Sequence, residues 1–347
     1  MNLNVVLPFA SSVLSFLFFV LLIDQWRERR RPYQAVWAIG MLWYGLAAGT
    51  EWLGGAVGWS EPLYKLWYLI GAIWVAGWLG LGTVYLLGRT RFGFAFAVSL
   101  FLAGLFTALT QSKYQYQQSG SAPILYFLVA MALAGGVIVL SLRRSPRWTT
   151  LAAVAIVGGT IVSAVMVATV TLPVPGWVVD PTTHIPTGEL FPGYIRLLTP
   201  FFNITGAFAL SLGAIYTAYV FMPKRRVIHY QIRRDRGATA FLRNLLLAPV
   251  AITANLLASL PGAGRAVIDG TINSRVPATI LIAIGGLIPA VTSGMNRFGA
   301  TSGFFVGELL GVVFLFAGFL VSIEVFREIR VPFTRIVLWS RTAEDPS

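Results

Sequence analysis

The sequence predicts an all-α fold. It is a polytopic transmembrane helical bundle of about nine spanning helices, with one further helix in the cytoplasmic interface. Three observations carry this. Hydrophobic residues make up 56% of the 347 positions and charged residues only 11%, whereas soluble domains are about a quarter charged. Several runs reach the ~20 apolar residues that cross a roughly 30 Å hydrocarbon core. The basic residues are also sorted to one side of these runs. Segments 24–31, 88–91, 143–147, 222–275 and 327–347 hold 22 of the 26 lysines and arginines. By the positive-inside rule these face the cytoplasm. The N-terminus is then outside and the C-terminus cytoplasmic, in a multi-pass plasma (inner) membrane protein of bacterial type. The net charge of +13 accordingly points to anionic lipid at the cytoplasmic face and not to nucleic acid.

The first span, 3–23, precedes "DQWRERRRP" and lacks a basic n-region and a small-residue cleavage site. It reads as an uncleaved span. In the second, 35–57, Trp37, Met41, Tyr44, Ala48 and Glu51 share a helical face. Glu51 lies in "GTEWLGG", about six residues or roughly 9 Å from the outer end at 1.5 Å per residue. In the third, 63–87, Trp67, Gly71, Trp74, Trp78 and Tyr85 recur at helical spacing. Spans 92–110, 123–142 and 149–172 follow, the last two with glycine pairs near Gly135 and Gly158. The outer loop 173–196 is proline-rich, so ordered turns are expected. It leads through Arg196 into the seventh span, 197–221, with Asn203 below.

Residues 222–275 form a basic segment. Lys224, Arg225, Arg226, Arg233, Arg234 and Arg236 are expected to contact anionic lipid or a cytoplasmic partner, at about 1 kcal/mol per basic residue near the surface. Within it, 238–260 is apolar enough to span. A crossing here would put the basic tail outside, and Asn244, Asn255 and Ser259 gather on one face. An interfacial helix is therefore preferred, with a re-entrant segment as the alternative. Spans 276–294 and 302–326 close the chain as a hairpin, followed by a cytoplasmic tail, 327–347. The ninth span carries Glu308 and "GELLG", whose small-xxx-small spacing suits close helix approach within the chain or between chains. The organisation read from this is a seven-helix unit (1–221), a basic segment (222–275), a hairpin (276–326) and a tail.

An intramembrane carboxylate costs at least a few kcal/mol and needs a partner facing the bundle interior. Glu51 and Glu308 lie at similar depth in the outer half. Lys65, Arg196 and Arg297 are the outer basic residues near them. A polar cluster is expected there, either as interhelical ion pairs or as an outward ligand site. The proposed site comprises Glu51, Tyr44, Lys65, Trp74, Trp78, Arg196, Asn203, Arg297 and Glu308, walled by aromatics, with the outer loop as its lid. Asp180, His184 and Glu189 in that loop match no metal-ligand spacing, so no metal is expected. No cofactor is expected either. There is no cysteine, and both histidines, His184 and His229, fall in loops, against paired haem ligation. No phosphate loop, nucleophile elbow, zinc-protease helix or dinucleotide fingerprint occurs, so a non-enzymatic role is expected.

"RPYQAVWAIGMLWYGLAAGTEWLGG" followed by "LYKLWYLIGAIWVAGWLGLGTVYLLGRTR" resembles the seven-helix membrane sensor regions that precede bacterial histidine kinases. The likeness covers spans 1–7. It implies an outside N-terminus and a sensing role, by analogy of fold. The chain departs from that family after span 7, with no kinase, dimerisation helix or output domain. A sensor-like or receptor-like ligand-binding module is thus one expectation. A structural or accessory subunit of a membrane complex, with a membrane-protein partner or homo-oligomer, is the second. A transporter or channel is the third, and it should show broken helices at the site.

Overall fold

A computed structural model describes residues 3–229, 238–269, 271–273, 275–297, 303–322, 328–334 and 336–340. Within these, the side chains of 238, 240–242, 244–245, 249, 267, 296–297, 328–330 and 338–340 lie outside the description.

The chain is a helical bundle. In order come α1 Leu3–Arg29, α2 Pro32–Val57, α3 Glu61–Trp67, a π-helical turn Tyr68–Trp74, α4 Val75–Leu86, α5 Gly93–Tyr114, α6 Ala122–Leu142 and α7 Arg147–Thr169. A short α8 Gly193–Arg196 leads into α9 Leu198–Phe221, followed by α10 Ala238–Ile268, α11 Arg275–Arg297 and α12 Phe304–Val321. A two-stranded antiparallel hairpin, β1 Glu328–Arg330 and β2 Val337–Ser340, occupies part of the tail.

Among the described residues, nine helices are long and apolar enough to cross a membrane. The set differs from the expected one in two places. It includes 246–266 of α10 and leaves out α2. The tryptophans, tyrosines, glycines and Glu51 of α2 lower its hydropathy. That costs little here, because α2 is enclosed by protein. Trp37, Met41, Tyr44, Ala48 and Glu51 are all buried. It pairs antiparallel with α1, where Ser12 Oγ donates to the Gly45 carbonyl at 2.8 Å and Gly55 meets the backbone of Asn4. By contrast α6 and α7 keep Leu125, Leu128, Ile161 and Val165 exposed. These helices have the all-round apolarity that lipid contact requires.

Two cores hold the bundle. One gathers Tyr64, Trp67, Ile73, Phe92, Trp148 and Phe202 from α3 to α9. The other gathers Phe18, Trp37, Met41, Leu210, Leu315 and Phe319 from α1, α2, α9 and α12. The C-terminal hairpin is thus built into the bundle, with Phe319 against both Phe18 and Trp37 at 5.1 and 4.5 Å between ring centroids. The "GELLG" glycines serve this packing. A Cβ on Gly307 would meet Thr292, and one on Gly311 would meet Pro289, both on α11.

The two ends of the bundle differ. At the basic end, the Phe333 amide donates to Asp24 Oδ1 at 2.9 Å and the Arg27 guanidinium lies 5.2 Å from the Phe333 ring centroid. The tail hairpin therefore docks where α1 ends. Arg275, opening α11, stacks 4.2 Å over Phe221, closing α9. The chain between them leaves and returns to this same end. The middle of α10 is also fastened here. Asn255 Oδ1 accepts from the amides of Val227 and Ile228, and its amide donates to the Ile228 carbonyl. Ser259 Oγ accepts from the Arg225 amide at 2.9 Å. Asn255 and Ser259 are the polar face read from the sequence; the Asn244 side chain lies outside the described residues. Facing away, Leu246, Val250, Leu257 and Leu260 are exposed.

α4 and α9 approach backbone to backbone. A Cβ on Gly206 would sit 2.0 Å from the Ala76 carbonyl oxygen. Overpacking of this kind typically costs about 1–3 kcal/mol. Gly206→Ala is expected to lower the thermal midpoint of the detergent-purified chain, read by size-exclusion melting. Gly135→Ala, with nothing within 4 Å of the new carbon, is expected to leave it unchanged.

Candidate functional site

Polar residues of the half remote from the basic end converge on one cavity of about 170 Å³. Its lining includes Tyr44, Ala48 and Glu51 of α2, Trp67, Tyr68, Gly71 and Ala72 of the third membrane helix, Asn203, Gly206 and Ala207 of α9, Gly286, Pro289, Ala290 and Ser293 of α11, and Glu308 of α12. Arg196 and Tyr116 line it near the loop end, with Pro186 and Gly188 of the outer loop. Five of the nine expected site residues thus meet: Tyr44, Glu51, Arg196, Asn203 and Glu308.

Glu51 is 2% exposed. The Trp67 indole N–H donates to its Oε1 at 2.8 Å, and its Oε2 has no hydrogen-bond partner among the described residues. Glu308 Oε2 is likewise buried and meets no N–H or hydroxyl donor among the described residues. The Tyr44 hydroxyl donates to the Glu308 backbone carbonyl at 2.8 Å, tying α2 to α12 beside the two acids. The Glu51 and Glu308 side chains interact directly. The expected Glu51–lysine ion pair does not form. Lys65 pairs with Glu61 at 2.7 Å and donates to the Val170 carbonyl at 2.6 Å. Four residues apart on one helical face, Glu61 is its nearest acid. Arg196 stacks on the Tyr116 ring, 3.9 Å from its centroid. Arg297 ends α11, but its side chain lies outside the described residues.

Trp74 and Trp78 do not line the cavity. Their indoles donate to Ser163 and Thr160 of α7 at 3.0 and 3.2 Å. The cause is the π turn. The Val75 amide bonds to the Ile70 carbonyl, five residues back. A π turn changes the phase of the helix. The cavity stripe therefore runs Trp67, Gly71, Val75, Leu79 in steps of four, and the tryptophans at 74 and 78 rotate onto α7. Assuming one α-helical period across the span put them on the wrong face. No turn or proline signal marks residues 68–74, so the π turn was not legible. Tyr68, Tyr116, Gly188 and Pro289 were also not singled out. Their place depends on the loop and on α11, which are remote in sequence.

The loop 173–196 roofs the site. Val179 bridges Pro186, and Asp180 Oδ1 accepts from the amides of Thr182 and Thr183 at 2.9 and 2.7 Å, closing a tight turn. Ile185 packs with Phe304 and Phe305 of α12, and Asn4 Nδ2 donates to the Thr183 carbonyl. Phe191 stacks on Tyr68 at 4.1 Å. The Tyr64 hydroxyl donates to the Thr187 carbonyl. These contacts make the loop a packed lid, as the proline content suggested. Among the described residues no group of three metal-ligating side chains occurs.

Trp67→Phe removes the indole donor to Glu51 Oε1. Orphaning a buried acceptor costs about 1–3 kcal/mol, so a lower thermal midpoint is expected, with Trp78→Phe affecting it less. The Thr183 amide holds the Asp180 carboxyl below the usual carboxylate range, helped by the Thr183 hydroxyl and the Thr182 amide. A depressed folded-state value means the turn is favoured above the ordinary aspartate range and loses that support as pH falls through and below it. Acid-protease cleavage within 178–188 is expected to rise over that window, and Asp180→Ala to be cleaved at higher pH as well. Comparison with family models, with curated proteins and with solved structures gives no match for this chain.

Proposed function

We propose that the chain is a non-catalytic, receptor-like or sensor-like module that binds a small ligand in the cavity between α2, α9, α11 and α12. One observation carries this reading. Polar side chains from five membrane helices and the loop end line one cavity, and its two buried acids, Glu51 and Glu308, meet each other and no basic side chain among the described residues. A structural ion-pair cluster would set a base against each acid; among the described residues neither acid has one. Concave, mostly apolar sites with a few convergent polar groups are the usual form of small-ligand pockets.

The basic end is cytoplasmic on this reading, and the lid faces outward. α10 lies in the cytoplasmic interface. Its small and polar residues Ala251, Asn255 and Ser259 face inward, and its large apolar residues face lipid. Lys224, Arg225 and Arg226 are exposed beside it and meet anionic headgroups. Arg233, Arg234 and Arg236 lie outside the described residues. Because the chain has no cysteine, an introduced one is unique. An impermeant maleimide is expected to label Thr182→Cys in intact bacterial cells and Arg226→Cys only after lysis. The opposite pattern would invert the topology.

A transporter is the second reading, and two observations favour it. The π turn and Pro289 interrupt regular helix on two walls of the cavity. Purification from native membranes in mild detergent, followed by mass spectrometry of what copurifies, tests the ligand reading. A bound small molecule lost in Glu51→Gln is expected. A chain that emerges empty, and that no compound stabilises, would sink it. A fixed protein partner with an empty cavity would favour the accessory-subunit role.

A further inference from the structure

We propose that the cavity is a site for an organic ammonium ion: a primary amine on a small apolar or aromatic body, with its head between Glu51 and Glu308. This rests on the ligand-binding reading above and names the ligand class.

The argument starts from the bare acceptors. Glu51 is 2% exposed, and Trp67 satisfies only its Oε1. Its Oε2 and Glu308 Oε2 are buried and meet no N–H or hydroxyl donor among the described residues. Leaving a buried acceptor unpaired costs about 1–3 kcal/mol, more when it is charged. The two carboxyl groups contact each other, and two acids in contact need either a proton shared between them or a cation; an ammonium ion entering from the cavity they line supplies the second. The chamber's one described basic lining residue, Arg196, is at the loop end, its guanidinium face on Tyr116.

Donor chemistry then selects the head. A primary ammonium carries a full charge and three N–H donors. It serves both carboxyl groups at once. A hydroxyl offers one donor and no charge, and an anion is repelled by the acids. A calcium or magnesium ion needs six or more oxygen ligands; the Tyr44 hydroxyl is engaged by the Glu308 carbonyl, and much of the remaining lining is carbon, as at Ala47, Ala48, Gly71 and Ala72. Space selects the body. A bare ammonium does not fill about 170 Å³, and the small-residue walls admit an apolar group. The Trp67 and Tyr68 rings at the acid end of the chamber suit a cation.

The test uses the full chain in detergent. Ethyl-, butyl- and benzylammonium are titrated against the alcohols and carboxylates of the same skeletons, with sodium and magnesium chloride at matched ionic strength. Thermal midpoint is the readout. Saturable stabilisation by amines alone is expected, weakened about tenfold or more in Glu51→Gln and in Glu308→Gln. Stabilisation by an alcohol, a carboxylate or a metal ion equal to that by the amines overturns the proposal. So does undiminished amine binding in both Gln variants, or no response to any amine. If neither variant folds, the ranking of probes on the native chain decides alone. A copurifying ligand without an amine overturns this proposal and leaves the ligand-binding reading intact. An empty chain that no probe stabilises overturns both.

Discussion

A carboxyl group held at 2% exposure inside an apolar bundle must be met by a donor, and Trp67 meets Glu51. Much of the architecture follows from making that contact. Trp67 closes α3, and the π turn begins at the next residue. The turn keeps Trp67 and Gly71 toward the acid while sending Trp74 and Trp78 to the hydroxyls of α7. One local change of helical period thus gives a single span two polar faces. One faces the cavity, and the other fastens the α7 side of the bundle.

The second constraint is proximity of backbone. Gly206 lets α9 press against Ala76, and the glycines of α12 let it lie along α11. In lipid there is no hydrophobic drive between helices, so close van der Waals contact carries association. These approaches bring α9, α11 and α12 around α2. The same small residues leave room between the helices, so the cavity is bounded by short side chains and lit by few polar ones. Tyr44, bonded to the Glu308 carbonyl, pins the two acid-bearing helices together across that space.

The two ends divide the remaining tasks. At the loop end, the Asp180 turn, Ile185 and Phe191 seat a lid on α1, α12 and the π turn. At the basic end, Asn255 and Ser259 hold the strand leaving α9 against the middle of α10, and Phe333 returns the tail to Asp24. The polar face of α10 is buried against this backbone. By composition alone 246–266 passes as a span. Hydropathy averages a helix over all its faces, so it does not register how α10 and α2 differ in what they bury. α10 shows its apolar residues to the outside, and α2 spends its polar ones inside.

By itself, the sequence determined that this is a membrane bundle, because length and apolarity are set by the bilayer and not by any partner. It also singled out Glu51, Glu308, Tyr44, Asn203 and Arg196, because a polar residue in such a setting is costly wherever the fold places it. Tertiary structure decided which of them meet. It turned Lys65 to Glu61, rotated Trp74 and Trp78 away, and brought α11, α12 and the outer loop to complete the walls. The physical reason is that cost is a property of one residue in its medium. Partnership depends on helix phase and on the approach of segments far apart in the chain, and neither is written in local spacing.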